Sequence, residues 1–196
     1  MKTKSKALLM TLCAVLLVAA SVLGTMAYLT STDKVTNTFT IGTIGIKLDE
    51  AKVNTDGTPV QGAARVNTNT YKLMPGREYT KDPTVWVDAN SENSYIFVKV
   101  ENEIANIEAD TKIAAQIEAK GWMPLAGEAG VYYKTYTRQG TIADLVVFEK
   151  FTIKNDVNAD TLKDYAGKTI KITAYAVQQD NLTVAQAWDA AKALNA

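Results

Sequence analysis

Alternation of apolar and polar positions is the dominant pattern along this chain. In "VTNTFTIGTIGIKL" (35–48), Phe39 and Ile41, then Ile44 and Ile46, are set among Thr and Gly. In "SYIFVKVENEI" (94–104), Ile96, Val98 and Val100 fall on one face, with Tyr95, Phe97 and Lys99 on the other. In "KTIKITAYAV" (168–177), Ile170, Ile172, Ala174 and Ala176 oppose Lys171, Thr173 and Tyr175. A period of two in β-branched and aromatic residues predicts half-buried strands. Asp56-Gly57 and Pro75-Gly76 supply turn chemistry, and "VDANSENS" and "LAGEAG" supply further polar or Gly-rich connections. Strands punctuated in this way predict a mainly β fold, an antiparallel β-sandwich rather than a parallel α/β sheet.

One or two short peripheral helices interrupt the strands. "EADTKIAAQIEAKG" offers Asp110 or Thr111 as cap, Ile113 and Ile117 one turn apart, and Gly121 as stop. The C-terminal "LTVAQAWDAAKALNA" has Thr183 as cap and a modest stripe of Val184, Ala187, Trp188, Ala191 and Leu194, suited to docking on the sandwich surface.

The first 27 residues follow a different pattern. Lys2, Lys4 and Lys6 precede an uncharged run from Ala7 to Ala20, and small residues end the segment at Ala27. This is the three-part order of a secretory signal, and cleavage is expected between Ala27 and Tyr28. The alternative is an uncleaved anchor, because residues 7–29 are long enough to span a bilayer. The chain then divides into a signal peptide (1–27), an N-terminal strand segment (28–42), and one β-sandwich domain with a C-terminal helix (43–196).

Composition narrows the chemistry. The whole chain carries 21 basic and 21 acidic residues; without the three lysines of the signal the balance is 18 to 21, a net of −3. A mildly acidic surface gives no reason to expect a nucleic-acid partner. There is no histidine, and the one cysteine, Cys13, lies in the signal. Zinc sites, Ser-His-Asp triads, Cys-His pairs and structural disulfides all need side chains that residues 28–196 lack. A carboxylate pair, Glu101 and Glu103, shares a strand face, but exposed acids ordinarily occupy solvated edges. Asp156, Asn158 and Asp160 alternate in "NDVNADT" as oxygen ligands do at the start of a calcium loop, without the turn glycine and distal Glu such a loop uses. Calcium is therefore a weak candidate, and no other cofactor is expected. Trp86, Tyr95, Phe97, Trp122, Tyr132, Tyr133 and Tyr136 form either a sugar-binding platform or, as large amphipathic rings more often do, core and interface. Asn181-Leu182-Thr183 fits a glycosylation sequon, with Thr183 already engaged as a cap.

The signal junction "GTMAYLTSTDKVTNTFTIGTIGIKLDE", the segment "LMPGREYTKDPTVWVDANSENSYIFVKV" and the late "ITAYAVQQDN" resemble the TasA and camelysin family of exported Gram-positive proteins, whose signals are cut by a SipW-type peptidase. The resemblance runs to about residue 182 and is loose over 105–165. It implies a jelly-roll-like sandwich, secreted to the extracellular matrix or cell surface, assembling with copies of itself into biofilm fibres. It also implies that the freed N-terminal segment of one subunit completes the sheet of the next, with Phe39, Ile41 and Gly42 as its assembly residues. The camelysin protease activity does not carry over, because this chain has no HExxH helix. The expected function is thus a structural fibre subunit and not an enzyme, touching the membrane only through its signal before cleavage. The alternative is a monomeric surface module for glycan or protein.

Overall fold

The computed structural model describes Met10, residues 12–16, 43–109 and 111–193. The chain divides into two compact units, Met1–Ile41 and Gly42–Ala196. In the first, the described residues are helical and exposed. Among the described residues no helix is long and apolar enough to cross a membrane.

The second unit is mainly β, with antiparallel sheets and few short helices. Its strands are β1 (Ile46–Asp49), β2 (Glu78–Thr80), β3 (Thr84–Val87), β4 (Ser94–Asn102), β5 (Met123–Pro124), β6 (Val131–Tyr136), β7 (Ala143–Val146), β8 (Lys150–Thr152) and β9 (Ile170–Gln178). Among the described residues they form three sheets, ordered β1-β3-β7, β2-β8 and β5-β6-β4-β9. The long pairing of β4 with β9 runs from Ser94 opposite Gln178 to Asn102 opposite Ile170.

The alternation in β4 sorts its side chains as the sequence predicts. Ile96 and Val98 are buried in the main core with Val85, Val87, Tyr79, Phe148 and Phe151, residues drawn from all three sheets or the turns beside them. Phe97 points the other way, into a smaller cluster with Val131, Ala187, Trp188 and Ala191. That second cluster lies beneath α3 (Val184–Ala193), where Trp188 packs 5.3 Å from the Phe97 ring and edge-on to Tyr175 at 5.4 Å. The C-terminal helix thus covers the outer face of the four-stranded sheet, and β4 is buried on both sides. Its start is a capping box: Gln186 N donates to Thr183 Oγ1 at 3.3 Å, and Thr183 N donates to Gln186 Oε1 at 2.9 Å. Leu194, the last residue of the expected stripe, lies outside the described residues.

Other local expectations need correction. Helix α1 (Ile113–Ala119) has Lys112 at its N-cap without a side-chain cap, so Thr111 does not cap it. Instead the Glu108 carboxylate accepts from Ile113 N at 3.4 Å, where its charge favours the positive helix end; Asp110 lies outside the described residues. Gly121 does end the helix, with a φ of 80°. A further helix, α2 (Ala159–Lys163), occupies what reads as a polar loop, so among the described residues of this unit three α-helices accompany the sheets.

Candidate functional site

Among the edge strands of the described residues are β1 and β9, and hydrogen-bond parity shows which of their backbone groups face away from the strand they pair with. Gln179 N donates to Asn93 O and Glu103 N donates to Thr169 O, each at 3.0 Å. The odd-numbered backbone of β9 therefore faces β4. Ile170, Ile172, Ala174, Ala176 and Gln178 turn their N–H and C=O groups away from it. On β1, Asp88 N donates to Gly45 O at 2.9 Å, so Ile46 and Leu48 turn theirs away from β3. Glu50, of the same parity, exchanges two 2.8 Å bonds with Val66, which closes that end of the β1 edge. Ile46, Leu48, Ile170, Ile172, Ala174 and Ala176 are only partly buried, although all pack against the main core. Among the described residues, the core is thus only partly covered along these two edges, and no partner is seen for the outward-facing backbone of β9 or of Ile46 and Leu48, the kind of edge that recruits another strand.

Where the last residues of β1 lie near the first of β9, the opening widens into a cleft of about 920 Å³. Leu48, Tyr71, Ile170 and Ile172 are among its apolar walls, and Glu50 and Lys81 contribute charge. Lys81 Nζ donates to Glu50 Oε2 at 2.6 Å, and Asn69 Nδ2 donates to Glu50 Oε1 at 3.0 Å. Both carboxylate oxygens are therefore engaged. The Lys81 ammonium, with three donors, has this one acceptor among the described residues and lies 5.9 Å from the Tyr71 ring centre. Burial, together with the Glu50 and Asp82 carboxylates, pushes the Tyr71 phenol far up; its hydroxyl donates to Thr80 O at 3.0 Å.

Beside the cleft, Arg65 ties the loop to the sheet. Its Nε donates to Asp49 Oδ1 at 2.5 Å, its Nη1 to Asp82 Oδ2 at 2.8 Å, and its Nη2 to Asp82 O at 2.9 Å. Asp49 also accepts from Trp86 Nε1 at 2.7 Å and pairs with Lys47 at 2.8 Å. Burial works to raise the Asp49 pKa, and these hydrogen bonds outweigh it, holding the carboxyl below the ordinary range.

The residues singled out in the sequence lie in separate places. Ala27, Tyr28, Phe39, Ile41 and Gly42 lie outside the described residues. The loop oxygens are engaged separately: Asn158 Oδ1 caps α2 by accepting from Thr161 N at 2.9 Å, Asp160 pairs with Lys163 at 2.7 Å, and Asp156 is exposed on the preceding turn. The aromatics are spread through the fold. Trp122 is buried and donates to Val146 O, Trp86 is tied to Asp49, and Phe97 lies under α3. Glu101 pairs with Lys99 and Lys171, while Glu103 accepts from Thr169 N and Lys168, as a solvated edge would arrange them. Asn181, in the sequon, has a φ of 60° at the turn before α3. The cleft itself was missed, because Glu50, Asn69 and Lys81 are far apart in the chain and carry no motif. Comparison of the chain with family models, curated proteins and solved structures finds no match.

Proposed function

We propose that this chain is a secreted structural protein whose copies assemble into extracellular, biofilm-type fibres by donor-strand exchange. On this reading the second unit is a jelly-roll-like sandwich left open along one side. A SipW-type peptidase frees the segment beginning at Tyr28, and residues 28–42 of one copy enter the opening of the next. The observation that supports this best is the outward-facing backbone of β9 beside half-exposed core residues: an added strand satisfies the first and covers the second. The segment has a matching character. Taken as a strand, its odd positions include Val35, Phe39 and Ile41, while its even positions from Thr30 to Thr40 are Thr or Lys34. No catalytic group is assigned, and the aromatic side chains serve packing.

Negative-stain microscopy of the chain beginning at Tyr28, beside one lacking residues 28–38, tests the reading. Fibres are expected from the first and folded monomers from the second. Fibres from both at equal rates contradict donor-strand exchange. Mass spectrometry of exported protein should find Tyr28 as its first residue; a chain that keeps residues 1–27 points to an anchor.

A further inference from the structure

We propose that the cleft reads a carboxylate on the incoming segment, and that Asp33 of a second copy supplies it by bonding to the Lys81 ammonium. This rests on the donor-strand reading above and adds the contact that fixes which stretch of the segment sits where. Residues 28–42 contain one acid, Asp33, and one base, Lys34. Adjacent residues of a strand point to opposite faces. Asp33 therefore shares the inward face with Val35, Phe39 and Ile41, and Lys34 shares the outward face with the threonines. An acid carried toward a core is costly unless a cation meets it there.

The cleft holds a cation, Lys81, which is paired with Glu50 but keeps ammonium donors to spare. The Lys81 side chain is 9% exposed, lines the cleft, and among the described residues has hydrogen-bonding capacity left after Glu50. Each Glu50 oxygen already accepts one bond, from Asn69 and from Lys81. Lys168 and Lys171, also on the cleft wall, add positive charge at its rim, although each already faces an acid of its own, Glu103 and Glu101.

The spacing is consistent with this seat. Asp33 to Phe39 is six residues, about 20 Å in an extended strand. With Asp33 beside Lys81 and Ile170, the same distance along β9 brings Phe39 to the level of Ala174 and Ala176. Those are the smallest side chains of the inner row and are partly exposed, so a ring placed there covers core without displacing a larger neighbour. The occupant is a second copy's segment, oriented with its N-terminal end in the cleft.

Assembly kinetics of chains beginning at Tyr28 test the contact. Asp33→Asn should slow assembly about tenfold or more, as loss of one partner of a buried charged contact does, while Lys34→Gln should assemble at nearly the parent's rate. In a Glu50→Gln, Lys81→Gln background, which removes both charges together, Asp33→Asn should have no further effect. Asp33→Asn assembling at the parent's rate overturns the proposal, and so does an equal loss in the neutralised background. If deletion of 28–38 still abolishes assembly in those cases, the donor-strand reading stands without this contact; if the deletion is silent, the reading itself falls. Should the neutralised background fail to fold, a photocrosslinker at position 33 decides. It should attach to residues 66–73 or 166–172 of another subunit, and attachment elsewhere overturns the proposal.

Discussion

Glu50 and Lys81 meet beneath the cleft with Oε2 and Nζ 2.6 Å apart, although 31 residues separate them in the chain. Both side chains are nearly inaccessible, with 6% and 9% exposure. Such a pair contributes little net stability over an apolar pair of the same shape, yet removing one member leaves an uncompensated buried charge.

Lys81→Met should therefore cost about 3 kcal/mol or more at neutral pH. Glu50→Leu combined with Lys81→Met should recover most of that loss, because no charge is then stranded. Urea denaturation of the two variants checks the contrast. Equal losses in the single and double variants would show that the pair is needed for its shape or its Asn69 contact rather than for charge balance.

The Asp49 carboxylate sets a second expectation, on the acid side. Its folded pKa lies below the ordinary value, so its stabilising contribution is complete above the unfolded-state pKa, about 3.9, and is lost as pH falls through the lower folded value. Melting temperature should accordingly drop more steeply below about pH 4 in the parent than in Asp49→Asn, which starts less stable at pH 7. Parallel curves for the two proteins would mean that Asp49 contributes no acid sensitivity.

Much of this architecture is legible in the sequence wherever alternation is long. The runs at Ser94–Asn102 and Ile170–Gln178 show which side chains face the main core, and the Thr183 cap and Gly121 stop are readable from residue type alone. Pro75-Gly76 forms the expected turn, with Gly76 at a φ of 70° and Arg77 N donating to Met74 O at 3.3 Å. Shorter strands are less visible: Thr84–Val87 has three buried side chains in four and so shows no clean period of two. Asn158 is ambiguous for a different reason, since a side-chain oxygen suited to a metal is equally suited to capping a helix. The cleft depends on three segments brought together by tertiary structure, and local pattern carries no trace of it.

The capping role of Asn158 leads to a prediction about calcium. Asn158→Ala should cost about 1 kcal/mol through the lost cap on Thr161 N, with or without added calcium. Calcium should leave the melting temperature of the parent unchanged, because the Asn158 and Asp160 side chains are turned to Thr161 and Lys163. A calcium-dependent rise that disappears in Asp156→Ala would overturn this and make the loop a metal site.

The last prediction separates the two faces of the N-terminal segment. If residues 28–42 act as a donor strand, Phe39 and Ile41 lie on its buried face and Thr38 on its exposed one. Burying a Phe side chain is worth roughly 1.5 to 3 kcal/mol by area. Phe39→Ala should thus raise the concentration needed for assembly by about tenfold or more, while Thr38→Ala leaves it nearly unchanged. Sedimentation of both variants across a concentration series measures the difference. Neither substitution should shift the monomer's melting temperature by more than a degree or two, because the partner's opening, rather than the donor's own core, receives the ring. A large fall in the Phe39→Ala monomer would instead make the segment an internal strand of its own domain, and equal assembly of the two variants would leave the alternation in "TNTFTIG" without an assembly role.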